Sequence, residues 1–225
     1  MRVGVLGGGM QGCCAALAIA DRGVHVTIFD RNPSLVTRAG AANEGKIHLG
    51  YMYAGDPSLK TARTMMAGAL AFEPFLERHL GASSPALRTS APATYVIHRD
   101  AQHPPDEIAG YLKTVHGLIA EQAGRNPSAY FGVDLGSPPR RLSAAEREAA
   151  FNPGLAVDAY QTAEVAIDPL VVAEALRQCI ADHPLIETRL GCEIVDAVAE
   201  PDHMLVVGRD GDGPGAPSDV VPPGI

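Results

Sequence analysis

Three glycines and one carboxylate near the N-terminus are the first residues whose types and spacing could do chemistry. Gly7-Gly8-Gly9-Met10-Gln11-Gly12 fits the pattern G-x-G-x-x-G. In that pattern Gly7 makes a tight turn, Gly9 lets backbone approach a pyrophosphate, and Gly12 lets a helix pack closely on a strand. The helix that opens at Met10 and Gln11 offers free N–H groups and a partial positive charge to phosphate oxygens. Asp30 follows eighteen residues beyond Gly12. A carboxylate there can accept both hydroxyls of an adenosine ribose and repels a 2′-phosphate. Together these residues imply an adenine dinucleotide, with either nicotinamide or flavin at the far end. Cys13 stands at the same helix start, where a thiol is either activated by the helix dipole or simply a small packing residue.

The elements needed to position this chemistry are legible around it. Arg2 to Leu6 reads as a buried strand, Met10 to Arg22 as a helix stopped by Gly23, and Val24 to Phe29 as a second strand. Strand, helix and strand in so short a span make a βαβ unit with a right-handed crossover. From Arg31 to Pro57 there is no sustained period, and Gly40, Gly45, Gly50 and Gly55 punctuate the segment. Ile47, Leu49, Tyr51, Met52 and Tyr53 give it too much apolar content for disorder, so it is expected to cover something. Helices are predicted over Ser58–Leu80, with a kink at Pro74, over Asp106–Gly124, and from Asp168-Pro169 to Ile180. Ser143 to Glu146 fits a capping box that opens a short helix. Extended segments are predicted at Thr94–His98, Val157–Val165, Leu185–Leu190, Cys192–Val198 and Met204–Val207. In the last fifteen residues, 211–225, eight are Gly or Pro, which predicts a flexible tail.

Composition narrows the classes. The chain has 225 residues, 46% hydrophobic and 20% charged, so it can bury a sizeable core and is not disordered. Its net charge of −8, with no basic cluster, argues against nucleic acid as a partner. No apolar run is long enough for a transmembrane segment. Four cysteines without a C-x-x-C pair fit a reducing, cytoplasmic setting. His98 and His103 lack ligand spacing and no metal site is expected, nor does any nucleophile motif suggest a hydrolase.

The loop after Asp30 carries a more specific signal. Asn43-Glu44-Gly45-Lys46-Ile47-His48-Leu49-Gly50-Tyr51-Met52-Tyr53, taken with Gly7–Gly12 and Asp30, resembles the D-amino-acid-oxidase-like (DAO) superfamily of FAD-dependent oxidoreductases. The stretch running on to Ser58-Leu59-Lys60 is most similar to its L-2-hydroxyglutarate oxidase-like branch. Asp168–Val198 is similar to the superfamily's returning helix and strands. The resemblance covers most of residues 1–66 and 165–207.

It implies an α/β fold: a Rossmann-like FAD-binding domain, a parallel sheet with helices, plus part of an α+β substrate domain. The FAD-binding domain would comprise residues 1–90 and 165–210, and the partial substrate or cap domain 91–164. FAD would lie with its pyrophosphate on Gly7, Gly9, Met10, Gln11 and Gly12, and its ribose by Asp30 and Arg31. Ala41, Ala42, Asn43 and Gly45 would line the flavin phosphate and ring edge, and the backbone of Ile194 would meet the adenine. His48 is implied near the flavin ring, where an imidazole can take a proton from a substrate hydroxyl or amine, or merely pack on the ring. Tyr51, with Tyr53, would orient substrate or pack within the loop, and Lys46 would offset flavin charge or be simply an exposed loop lysine. The implied reaction is oxidation of a C–H bond next to an amine or hydroxyl of a small amino or hydroxy acid, with hydride passing to flavin N5. Arg88, Arg99 and Arg140 are candidates to clamp the acid, and the electron acceptor stays open. Two alternatives remain at this point. One is a C-terminally truncated, catalytically incomplete FAD-binding fragment, suggested by Ser218–Val221 starting a strand that Pro222-Pro223 ends. The other is an NAD-dependent dehydrogenase.

Overall fold

The segment His25–Asp30 (β2) shows no alternation of apolar and polar residues, because both of its faces are covered. In the computed structural model, which describes residues 1–81, 87–124 and 130–210, β2 lies in the middle of a three-stranded parallel sheet. Its neighbours are β1 (Arg2–Leu6) and the strand Ile186–Leu190. Val26, Thr27, Ile28 and Phe29 are all buried, as expected for a strand with helices packed over it. Helix α1 (Met10–Ala20) packs on this sheet through Cys13, Ala16, Leu17 and Ala20. Helix α5 (Pro169–Asp182) packs against α1 with Val172, Ala173, Leu176 and Ile180, a stripe of helical period. With β8 the strand Ile186–Leu190, an antiparallel hairpin follows, β9 (Cys192–Ala199) and β10 (Met204–Asp210). A bulge interrupts this hairpin between Val207 and Gly208.

These elements form one compact unit, drawn from Met1–Asn43 and from Pro169 onward. The α/β class with a parallel sheet is as the sequence implied. One detail differs. β1 was expected to be buried, yet its residues are half-buried or exposed, with Leu6 at 52%. β1 pairs with β2 on one edge and has no strand partner on the other among the described residues. The Gly/Pro-rich stretch 211–225 lies outside the described residues.

The second compact unit is Glu44–Asp168. It contains a two-residue strand β3 (Lys46–Ile47), paired antiparallel with β7 (Val165–Ala166). Three further strands, β4 (Thr94–His98), β6 (Ala156–Gln161) and β5 (Arg140–Arg141), form an antiparallel sheet in that order. Helix α2 (Lys60–Leu80) runs through Pro74 without interruption. It starts two residues later than predicted: Leu59 takes a left-handed conformation (φ 58°), and Asp56 accepts the N–H of Thr61 at 2.9 Å. Helix α3 (Pro105–Ala123) buries Leu112, Val115 and Ile119. The predicted capping box is present at α4 (Ala144–Ala150), with Ser143 and Glu146 bonded reciprocally. The core of this unit also holds Leu49, Tyr51, Met66, Leu76, Tyr130 and Phe131, together with three buried carboxylates, Glu73, Asp158 and Glu164. These units divide the chain by packing. The expected FAD-binding portion, 1–90 with 165–210, is a functional division.

Candidate functional site

In the first unit the glycine motif has the geometry its spacing requires. Gly7 has φ 106°, a conformation L side chains rarely adopt, and its N–H donates to the Phe29 carbonyl at 2.8 Å. That bond ties the turn to the end of β2. A Cβ on Gly12 would sit 1.9 Å from the Gly7 carbonyl oxygen, so only glycine lets the first turn of α1 pass under the loop. A Cβ on Gly9 would meet nothing within 4 Å. Gly9 is also the N-cap residue of α1, and no side chain caps the helix there. The orphan N–H groups of the first turn are thus presented without a protein partner of that kind, as an anion site needs.

Asp30 ends β2 beside this turn. Its carboxylate accepts the N–H of Gly8 at 2.6 Å, and the backbone and side-chain N–H of Asn32 at 2.7 and 2.6 Å. Burial by itself would raise its pKa, but these bonds, with Arg31 nearby, hold it below the ordinary carboxylate value. A carboxylate has about four acceptor positions. With three donors in place, Asp30 retains capacity for a further hydroxyl.

A groove of about 460 Å³ opens at this point, walled by Gly7, Gly9, Asp30, Arg31, Arg38 and Ile194 among others. That volume lies within the roughly 300–1,000 Å³ of small-molecule pockets. Five of the sequence-predicted cofactor residues therefore share one groove, Ile194 included. It reaches the groove because β9 begins where β8 leaves β2. Met10, Gln11 and Gly12 form the adjoining helix turn. Ala41, Ala42 and Asn43 do not line this groove. Ala41 and Ala42 donate to the Arg38 carbonyl, and Asn43 Nδ2 donates to Ala39 and Gly40. Asn32 and Arg38, bonded to each other at 3.1 Å, and Glu193 were missed. Nothing in their local pattern marks them, since the strand register and the loop after Asp30 bring them in. Cys13 is settled by burial, which pushes its thiol up to about 12, with Cys14 at about 11. The dipole does not activate it.

In the second unit the loop after β3 is built around one carboxylate. Glu164 Oε1 accepts consecutive backbone N–H groups of Leu49, Gly50 and Tyr51, at 2.7, 3.1 and 3.3 Å. Its Oε2 lies 3.2 Å from His48 Nδ1 and accepts the Tyr95 hydroxyl. The Tyr111 hydroxyl donates to the Gly50 carbonyl at 2.7 Å, and the Tyr130 hydroxyl to that of Ile47. Burial first, and then the Glu164 charge, raise the phenol pKa of Tyr51 and of Tyr95. His48 lines a cavity of about 250 Å³ together with Lys46, Ile47, Thr64, Met65 and Phe72. Tyr51 is only 3% exposed and does not line it. Tyr53 meets the His48 ring edge-on, with centroids 6.2 Å apart. Of the candidate clamps, Arg140 pairs with Glu146 and Arg99 with Asp100. Arg88 is exposed and bridged to Ile167 through backbone. None of the three lines this cavity; among the described residues that do, Lys46 supplies the cation.

A Rossmann-like βαβ start, an anion-ready helix terminus and a carboxylate at the end of β2 define a dinucleotide-binding protein. The chain belongs to the DAO family of FAD-dependent oxidoreductases, whose family model matches residues 2–218. FAD is the cofactor of that family, which sets aside the nicotinamide alternative. The tRNA 5-methylaminomethyl-2-thiouridine biosynthesis bifunctional protein of Pseudomonas aeruginosa is 30% identical over 126 residues. The match covers 54% of this chain and 18% of that protein. Among solved structures, the L-amino acid deaminase of Proteus myxofaciens superposes with a TM-score of 0.62 at 17% identity, over 93% of this chain and 42% of that one. Glycine oxidase of Geobacillus kaustophilus does so with a TM-score of 0.62 at 17% identity, over 92% and 51%. The chain thus spans under a fifth of that curated relative and about half of each of those structures. No helix among the described residues is long and apolar enough to cross a membrane.

Proposed function

We propose that this chain binds FAD and takes part in oxidising a C–H bond next to an amine or hydroxyl of a small amino or hydroxy acid. The observation that carries the reading is His48, anchored through Glu164, on the wall of a cavity that also holds Lys46. FAD, when bound, supplies the hydride acceptor at its N5. The residues of the first unit hold the cofactor. The turn at Gly7, the open approach over Gly9 and the free amides at Met10, Gln11 and Gly12 receive the pyrophosphate. Asp30, flanked by Arg31, accepts a ribose hydroxyl, and the Ile194 backbone meets the adenine. Ala41, Ala42, Asn43 and Gly45 keep the flavin-phosphate and ring-edge roles that the resemblance implies. The functional FAD-binding portion is accordingly 1–90 with 165–210, and 91–164 belongs to the substrate side.

His48 takes the substrate proton, and Lys46 offsets negative charge at the same wall. Tyr51, buried in the core, fixes the loop instead of touching substrate. Small amino acids lead the substrate class, in keeping with the deaminase and the glycine oxidase whose folds this chain shares. The four unbridged thiols suit a reducing cytoplasm. A net charge of −8 does not favour nucleic acid.

The test is a titration of the full chain with FAD, followed by melting and by anaerobic addition of amino and hydroxy acids. At 100-fold excess over Kd, binding adds about 2.7 kcal/mol, a rise of roughly 5–11 °C for a chain of this size. Bleaching of the flavin absorbance then identifies the substrate. A colourless chain with an unmoved melting temperature would sink the proposal.

A further inference from the structure

Glu164 is a buried carboxylate that anchors His48 but has so far been given no part in where the imidazole carries its proton. We propose that it is a positioning residue: its carboxylate holds the imidazole proton of His48 on Nδ1, so that Nε2 carries the lone pair that accepts the substrate proton. This rests on the reading of His48 as the proton acceptor.

The placement comes from strand pairing. β3 and β7 run antiparallel with Lys46 opposite Ala166 and Ile47 opposite Val165. The same register carried one residue further sets His48 opposite Glu164. The side chain of Glu164 is 1% exposed and that of His48 21%. Apart from His48, each group bonded to the carboxylate is a donor. Three loop N–H groups converge on Oε1, and the Tyr95 hydroxyl donates to Oε2. Oε1 is occupied with the backbone that carries His48, so Oε2 is the oxygen left to the ring, at 3.2 Å from Nδ1. An oxygen that accepts must meet a nitrogen that donates, and in a neutral imidazole the other nitrogen is then the acceptor. One carboxylate thereby fixes the histidine twice, through its main chain and through its tautomer. A loop anchor alone would need only the first.

The two roles separate in the Glu164→Gln variant, which keeps size and shape. If the amide oxygen retains the three N–H groups, the amide NH₂ faces Nδ1, which must then accept, and the proton moves to Nε2. The experiment is imidazole ¹⁵N NMR of the histidine-labelled full chain without FAD, above the pH at which histidine titrates. The His48 signals are assigned by their loss in His48→Asn. The expected wild-type spectrum has a protonated, pyrrole-type Nδ1 and a bare, pyridine-type Nε2, reversed in Glu164→Gln. In the FAD-loaded chain the variant should reduce flavin about 10²–10⁴-fold more slowly, the size of a general-base contribution. A wild-type His48 with its neutral-form proton on Nε2 overturns the proposal without any Glu164 variant having to fold. An unreversed tautomer in a folded Glu164→Gln chain overturns it as well. If the tautomer is as stated but His48→Asn reduces flavin at the wild-type rate, the base reading of His48 fails while the Glu164–His48 pairing stands.

Discussion

Replacing Gly12 with alanine tests the dinucleotide turn directly, because two effects of opposite sign meet at that position. Gly12 lies inside α1, where exchanging glycine for alanine ordinarily stabilises by about 0.5–1 kcal/mol. Here, however, the new Cβ would lie 1.9 Å from the Gly7 carbonyl oxygen, 3.1 Å from the Gly7 carbonyl carbon and 3.4 Å from Val5 Cγ1. Real Cβ contacts essentially never fall below 3.0 Å, so helix and turn must part by about 1 Å. The obstacle is backbone, held in turn by the bond from Gly7 to Phe29, and cannot swing aside as a flexible side chain would. Overpacking of this kind costs about 1–3 kcal/mol, and a contact this short belongs at the upper end. The net loss is about 2 kcal/mol, a melting temperature lower by roughly 4–8 °C. Gly117→Ala in α3 is the control, since a Cβ there meets nothing within 4 Å. It should raise the melting temperature by roughly 1–4 °C. Thermal melts of the two variants beside the wild type check this. If Gly12→Ala melts as high as Gly117→Ala, the close approach of helix and turn is not what fixes glycine there.

Other consequences can be measured on the same protein. Asp30→Asn should weaken FAD binding on the order of 10- to 100-fold, the worth of a hydrogen bond to a charged acceptor, read from flavin fluorescence; an unchanged affinity would remove Asp30 from the ribose site. The lowered pKa of Asp30 also fixes a sign for acid stability. Its contribution is complete above the ordinary value of 3.8 and is lost as pH falls through the lower folded value. Below about pH 4 the wild type should therefore lose stability faster than Asp30→Asn, as chemical denaturation at stepped pH would reveal. Cys13 and Cys14, pushed up to about 12 and 11, should resist iodoacetamide at pH 8 in the folded chain and react once it is denatured. Rapid labelling of Cys13 in the native state would show that burial does not control it.

What the sequence alone determined is local. The turn at Gly7, the packing at Gly12 and the carboxylate at Asp30 lie within one βαβ unit, where spacing along the chain fixes spacing in space. Helices α3 and α5 and the capping box at Ser143 were likewise legible, because their periods and caps involve residues a few positions apart. The depth of β1 was not. A strand's burial depends on what covers its edge and faces, and β1 has one described neighbour. Nor could the sequence show that Tyr51 points into the core while His48 lines a cavity, since two residues three apart in an irregular loop carry no period. Glu164 is the clearest case. It lies 116 residues from His48, and its own surroundings, between Thr162 and the two-residue strand β7, carry no sign of a site. Only the antiparallel register of β3 on β7 sets the two side by side, and tertiary pairing rather than sequence decided which carboxylate holds the histidine.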